Sequence, residues 1–232
     1  MKQKVACFAD GAAQYIRSMK RLEMSLIETN FDGVFQGFND YNAIESKHHL
    51  EVPYQFKAKA IKKAMESDCD LLLWADSAIY ASKSIQPIFD HIKKHGYIFF
   101  DNIGYTIADH TSDACLEKFG VSRLDAYGSK MIMACLMGFD LNHPEAKEFL
   151  RRYIEASEDG VSFHGPWNNF NLGASQDIRC MGHRHDQSVA SLIIKDMGLT
   201  ITNAQETFFC YAEHKGKLQI SDSVCMWSAG MS

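Results

Sequence analysis

The sequence has no G-x-x-x-x-G-K-[ST], no G-x-G-x-x-G, no G-x-S-x-G and no H-E-x-x-H. Those absences remove the P-loop, dinucleotide-fold, α/β-hydrolase and zincin readings. No Lys/Arg block occurs, and 24 basic against 29 acidic side chains leave a net charge of −5, so nothing draws the chain toward nucleic acid or an anionic membrane. The longest apolar stretches, such as Asp70–Ala75, fall far short of the roughly 20 residues that span a bilayer, so no transmembrane segment is expected. No C-x-x-C pair occurs among the seven cysteines, at positions 7, 69, 115, 135, 180, 210 and 225. Odd in number and mostly set in apolar segments, they read as reduced, buried thiols. The N-terminus has no apolar signal segment and fits a cytoplasmic location. With only four prolines and no Gly/Ser run, residues 1–232 read as one domain.

What is present alternates. Short apolar runs at Val5–Ala9, Gly33–Phe38, Asp70–Trp74, Tyr97–Phe100 and Met131–Met137 predict strands buried on both faces. Amphipathic segments at Ala12–Glu28, Phe56–Glu66, Ser82–His95, Pro144–Ala156 and Asp186–Met197 predict helices. The order implies an α/β fold with a mostly parallel Rossmann-like central sheet flanked by helices, followed by an irregular second half. Glu158–Met181 reads as a long ordered loop packed through Phe163, Trp167 and Phe170, while Phe208–Tyr211 and Lys217–Ile220 predict a hairpin.

Open α/β sheets bind ligands beyond the carboxyl ends of their strands. Asp10, Asp76 and Asp101 each follow a predicted strand, so three acids are expected at that edge. On the helical wheel Ala60, Ile61, Ala64 and Met65 centre on Lys57, whereas Lys59, Lys62 and Lys63 point away. Lys57 is therefore aimed inward from a first helical turn, either as a phosphate ligand or as the partner of a sheet-edge acid. The same geometry turns Asp186 inward at the start of the last long helix, directly after His183 and His185, a cluster suited to proton transfer. Structural zinc is disfavoured there, because no cysteine lies at a ligand spacing.

Trp74-Ala-Asp-Ser77 and Arg184-His-Asp-Gln187, with weaker matches at Pro53–Lys57, Gly96–Phe100 and Gly165–Trp167, resemble GT-A-fold nucleotide-sugar glycosyltransferases, in particular a bacterial and viral group carrying W-x-D-S/A and R-H-D-Q. The resemblance implies a hexosyl- or deoxyhexosyltransferase acting between a nucleotide-sugar donor, such as a UDP-sugar, and a glycan or small-molecule acceptor, as in polysaccharide biosynthesis. It implies a nucleotide-binding half over about 1–125 and an acceptor-side half over about 126–232. Ala9, Asp10, Gly11, Lys57, Asp76, Ser77 and Asp101 are then donor-binding, Trp167 and Asn168 acceptor-binding, and Asp186 catalytic with His185 beside it. Asp76 is then the metal ligand for Mn²⁺ or Mg²⁺, although Ala78 fills the third position of the usual Asp-x-Asp; Asp101, Asp186 and a late residue such as His214 are further candidate ligands. The alternative is a sugar-nucleotide or glycan-binding module that has kept the fold without catalysis.

Overall fold

A computed structural model describes residues 1–204, 207–214 and 220–229. In chain order its elements are β1 (Gln3–Phe8), α1 (Ala13–Glu28), β2 (Val34–Phe38), α2 (Gln55–Met65), β3 (Leu71–Ala75), β4 (Ile79–Ala81), α3 (Gln86–His95), β5 (Tyr97–Thr106), α4 (Asp113–Lys118), α5 (Arg123–Tyr127), β6 (Lys130–Asp140), α6 (Pro144–Glu158), α7 (His185–Met197), β7 (Phe209–Tyr211) and β8 (Met226–Ser228). Among the described residues, β2-β1-β3-β6-β5 form a central sheet and β4-β8-β7 a small second one.

The inner strands β1, β3 and β6 are buried on both faces, which is why they read as nearly unbroken apolar runs. In β3 the period of two sends Leu72 and Trp74 to one layer, with Phe99, Phe139 and Phe149, and Leu71, Leu73 and Ala75 to the other, with Leu22, Leu26, Ile88 and Phe89. α2 and α7 belong to the first layer; α1 and α3 cover the second.

β1 pairs in parallel with β2 and β3, but β6 runs antiparallel between β3 and β5. The link from β5 to β6 makes no crossover: Ile107 N–H donates to Ser129 O at 3.0 Å, so the chain turns back at the edge where β5 ends. β6 therefore starts at the carboxyl edge of the parallel strands. Its register with β5 slips so that Met133 faces Phe100 and Met137 faces Phe99, leaving Ala134 outside that ladder. Bulges recur beside active sites because they re-aim groups in this way.

Three expectations change. Asp101 lies inside β5, which extends to Thr106, and not at a strand end. Phe163 packs into the core, but Trp167 is 45% and Phe170 79% exposed, so a single buried aromatic anchors that loop. β7 pairs in parallel with β8, a strand not predicted from sequence, and the hairpin partner at 217–219 lies outside the described residues.

Candidate active site

Two helices deliver the charged centre, and each starts on a non-glycine residue in the left-handed region. Tyr54 precedes α2 at φ 59°, and His185 opens α7 at φ 43°. Such backbone costs of order 1–3 kcal/mol and persists where surrounding contacts enforce it. Here the two rings stack on each other, with centroids 5.8 Å apart, and Trp167 stacks on both, at 6.3 Å from Tyr54 and 5.7 Å from His185. That aromatic wall fixes the entry of both helices.

Behind it, Lys57 Nζ lies 2.6 Å from Asp186 Oδ2 and 3.1 Å from Asp76 Oδ1, and donates to Ala134 O at 2.9 Å. Asp186 Oδ2 makes no aligned hydrogen bond, so its contact with Lys57 is a close ion pair. Burial opposes the charge on Lys57, but Asp186 and then Asp76 outweigh it and hold the ammonium well above the ordinary lysine range. Asp76 is fixed further by Trp74 Nε1–H, which donates to Oδ1 at 2.7 Å, and its own N–H donates to Cys135 O at 2.8 Å. Burial raises its pKa, a shift the lysine opposes. Asp76 remains 32% exposed, against 2% for Lys57 and 5% for Asp186, so it is the acid that meets solvent.

The expectation that Lys57 binds phosphate directly does not match this geometry, since its ammonium is committed to two carboxylates and a carbonyl. The internal ion pair is what forms, because burying three charges is tolerable only when they satisfy one another. Two carboxylates and one ammonium leave the centre at −1.

Three cavities run along this edge. One of about 330 Å³ is lined by Asp10, Tyr15, Tyr41, Tyr54, Phe56, Asp76 and Ser77. A small one of about 100 Å³ holds Lys57, Asp76, Asp186, Arg184 and Gln187, and shares Tyr54 and Asp76 with the first. A third, of about 590 Å³, shares Arg184, Gln187, Met133 and Tyr211 with the small one and adds Asp101, Tyr105, His110 and Glu213. In the first, Tyr41 Oη donates to Asp10 Oδ2 at 3.3 Å, and burial, with the charge of Asp10, pushes Tyr41 up to about 12.

The sequence-predicted residues thus divide. Asp10, Asp76 and Ser77 share one cavity, with Ala9 buried behind them and Gly11 exposed at the turn; Lys57 and Asp186 meet Asp76 in the next. Asp101 belongs to the third, with Lys130 at 3.4 Å and the Ala204 N–H at 3.0 Å. Trp167 borders the small cavity and Asn168 is exposed beside it. His185 does not orient Asp186: its Nδ1 faces Phe163 O at 2.9 Å and must carry the proton, and burial pulls its pKa down to about 4. His183 is satisfied in the same way, Nε2–H donating to Ser162 O at 3.0 Å and Nδ1 accepting from Ser112 N–H at 3.2 Å. Tyr54 and Gln187 were not singled out from sequence, though both stand inside the quoted motifs.

A divalent ion would find no ready cage, since no three His, Cys, Asp or Glu side chains converge among the described residues. The exposed edge of Asp76 in a centre of charge −1 nevertheless suits a cation that brings most of its ligands with it. The side chain of His214 lies outside what the structure describes.

No protein-family model matches the sequence, and no curated protein matches it either. Solved structures do. A glycosyltransferase involved in glycosylation of the major capsid of PBCV-1 superposes with TM-score 0.60 at 15% identity, covering 100% of this chain and 95% of that one. Mouse xyloside xylosyltransferase 1, in its apo form, gives 0.53 at 8% identity, covering 99% and 98%. The galactosyltransferase LgtC, solved with donor and acceptor sugar analogs, gives 0.52 at 13%, covering 98% and 87%. The chain has the GT-A-like fold of these glycosyltransferases.

Proposed function

We propose that this protein is a glycosyltransferase, of hexosyl or deoxyhexosyl type, that moves a sugar from a nucleoside-diphosphate donor to a hydroxyl of a glycan or small-molecule acceptor. The observation that carries the reading is the Asp76–Lys57–Asp186 centre, set in a small cavity between two larger ones. The aromatic cavity beside Asp10 and Tyr41 suits a nucleoside, the small cavity the donor sugar, and the 590 Å³ cavity the acceptor.

Breaking the anomeric C–O bond releases a nucleoside diphosphate, whose growing negative charge needs a positive partner. Mg²⁺ or Mn²⁺ bound to Asp76, diphosphate oxygens and water would supply that charge. Lys57 holds Asp76 and Asp186 in place at the same spot. The transition state resembles an oxocarbenium ion, and the Asp186 carboxylate is the group placed to stabilise it or to take the acceptor proton. Tyr54, His185 and Trp167 stack as an aromatic wall along one side of it. The cysteines, mostly buried in the fold, support a reducing, cytoplasmic setting, and no helix among the described residues is long and apolar enough to cross a membrane.

Turnover of a panel of UDP- and GDP-sugars, with and without Mn²⁺, tests the reading. Hydrolysis or transfer from one donor supports it; tight nucleotide binding with no turnover of any donor favours the binding-module alternative, which Ala78 in the Asp-x-Asp position suggests.

A further inference from the structure

Among the described residues Arg184 is a cation without an acid. It stands directly before α7, where its N–H donates to His110 O at 3.0 Å and to Ser188 Oγ at 3.1 Å. Its guanidinium lies 3.7 Å above the Trp167 ring, and Nη1 is buried with no hydrogen-bond partner. Among the described residues no carboxylate pairs with it, whereas Arg123, Arg151, Arg152 and Arg179 each have one. Burial lowers its pKa, the signature of a charge held with too little compensation.

The place of this cation gives it meaning. Arg184 lines both the small cavity and the 590 Å³ cavity, but not the aromatic cavity beside Asp10. It is therefore set beyond the donor's nucleoside end, on the acceptor side of the centre. Of the two acids on the large cavity, Asp101 is taken by Lys130 and the Ala204 N–H, and Glu213 sits on the turn Ala212–His214. His110 beside Arg184 is neutral, since burial and then the Arg184 charge pull it down to about 4, and its ring packs on Tyr105 at 4.9 Å. A planar guanidinium stacked on Trp167, with Nη1 unpartnered, suits a carboxylate or phosphate while the neighbouring rings suit a sugar face.

We infer that the acceptor of this enzyme carries an anionic group, a carboxylate or phosphate on a sugar, and that Arg184 is the residue that recognises it. The inference rests on the glycosyltransferase reading for the word acceptor, but not for the anion site itself. Glucuronic acid and glucose serve as probes, titrated by NMR against the protein with UDP and Mg²⁺ present, in the wild type, Arg184→Gln and Arg184→Lys, with UDP affinity measured in parallel. Wild type should prefer glucuronic acid by about tenfold or more, the scale of one charge-assisted hydrogen bond. Arg184→Gln should erase that preference, Arg184→Lys should keep part of it, and UDP affinity should hold in both. Equal binding of the two sugars by wild type would overturn the proposal. So would a large loss of UDP affinity in Arg184→Gln, which would assign the guanidinium to the donor diphosphate. A glucuronic acid preference that depends on Arg184 in a protein that binds no nucleotide would uphold the anion site and sink the glycosyltransferase reading instead.

Discussion

Lys57 and Asp186 meet at 2.6 Å across the space between α2 and α7, with 2% and 5% of their side chains exposed. Each is the inward member of a first helical turn. Their pairing joins the two halves of the chain at the point where the donor sugar is proposed to sit.

Removing one member of a buried pair strands the other, at a cost of about 3–5 kcal/mol. Lys57→Met is expected to lower stability on that scale and to weaken UDP or GDP binding by about tenfold, or about 1.4 kcal/mol, through misplaced Asp76. Exposed Lys62 provides the control, and Lys62→Ala should leave both unchanged. Denaturant unfolding of Lys57→Met, Asp186→Leu and the double variant completes the test. The double variant should lose less than the sum of the singles, and strict additivity would show that the pair is not coupled.

Asp186→Asn should retain nucleotide affinity and lose on the order of 10²-fold or more in turnover, with kcat and kcat/KM falling together. Transfer at near wild-type rate would reduce Asp186 to a structural partner of Lys57. His185→Ala should act differently, through the aromatic wall that its ring completes with Tyr54 and Trp167. A milder loss, visible in KM as well as kcat, is the expected pattern.

Asp76→Asn keeps an oxygen for the Trp74 indole and leaves Lys57 paired with Asp186. The melting temperature should therefore change little, while calorimetry should show weaker nucleotide binding in the presence of Mn²⁺ and a smaller difference between runs with and without the metal. An unaltered metal response together with a large stability loss would mark Asp76 as structural.

Three buried histidines set an acid limit. Burial holds His183 at about 3 and both His185 and His110 at about 4, below the ordinary 6.5. They stay neutral in the folded chain, while the unfolded chain takes up protons near 6.5. Stability is therefore complete above that value and falls as pH drops toward 4, by up to about 1.4 kcal/mol per pH unit for each ring. Thermal melts from about pH 7 to about pH 5, above most carboxylate titration, should show a steady fall in Tm. A flat profile across that range would contradict the assignment of neutral, proton-excluding rings.

Much of the site is legible along the chain because periodicity fixes direction relative to an element's own axis. The wheel turns Lys57 and Asp186 inward, and the apolar run of β3 delivers Asp76 to its carboxyl end. The same logic overreached at Asp101, where β5 continues past the acid because β6 pairs with it on the far side.

What no local pattern contains is the choice of partner. Whether Lys57 would meet a phosphate or two carboxylates depended on how α2 and α7 pack against β6, and on a bulge that frees the Ala134 carbonyl. The reversed direction of β6, the stacking of Trp167 on Tyr54 and His185, and the isolation of Arg184 are likewise products of packing between segments far apart in sequence. Side-chain identity and spacing determined which groups face the core; only the tertiary structure decided which charges neutralise one another, because that balance is set by distances across elements.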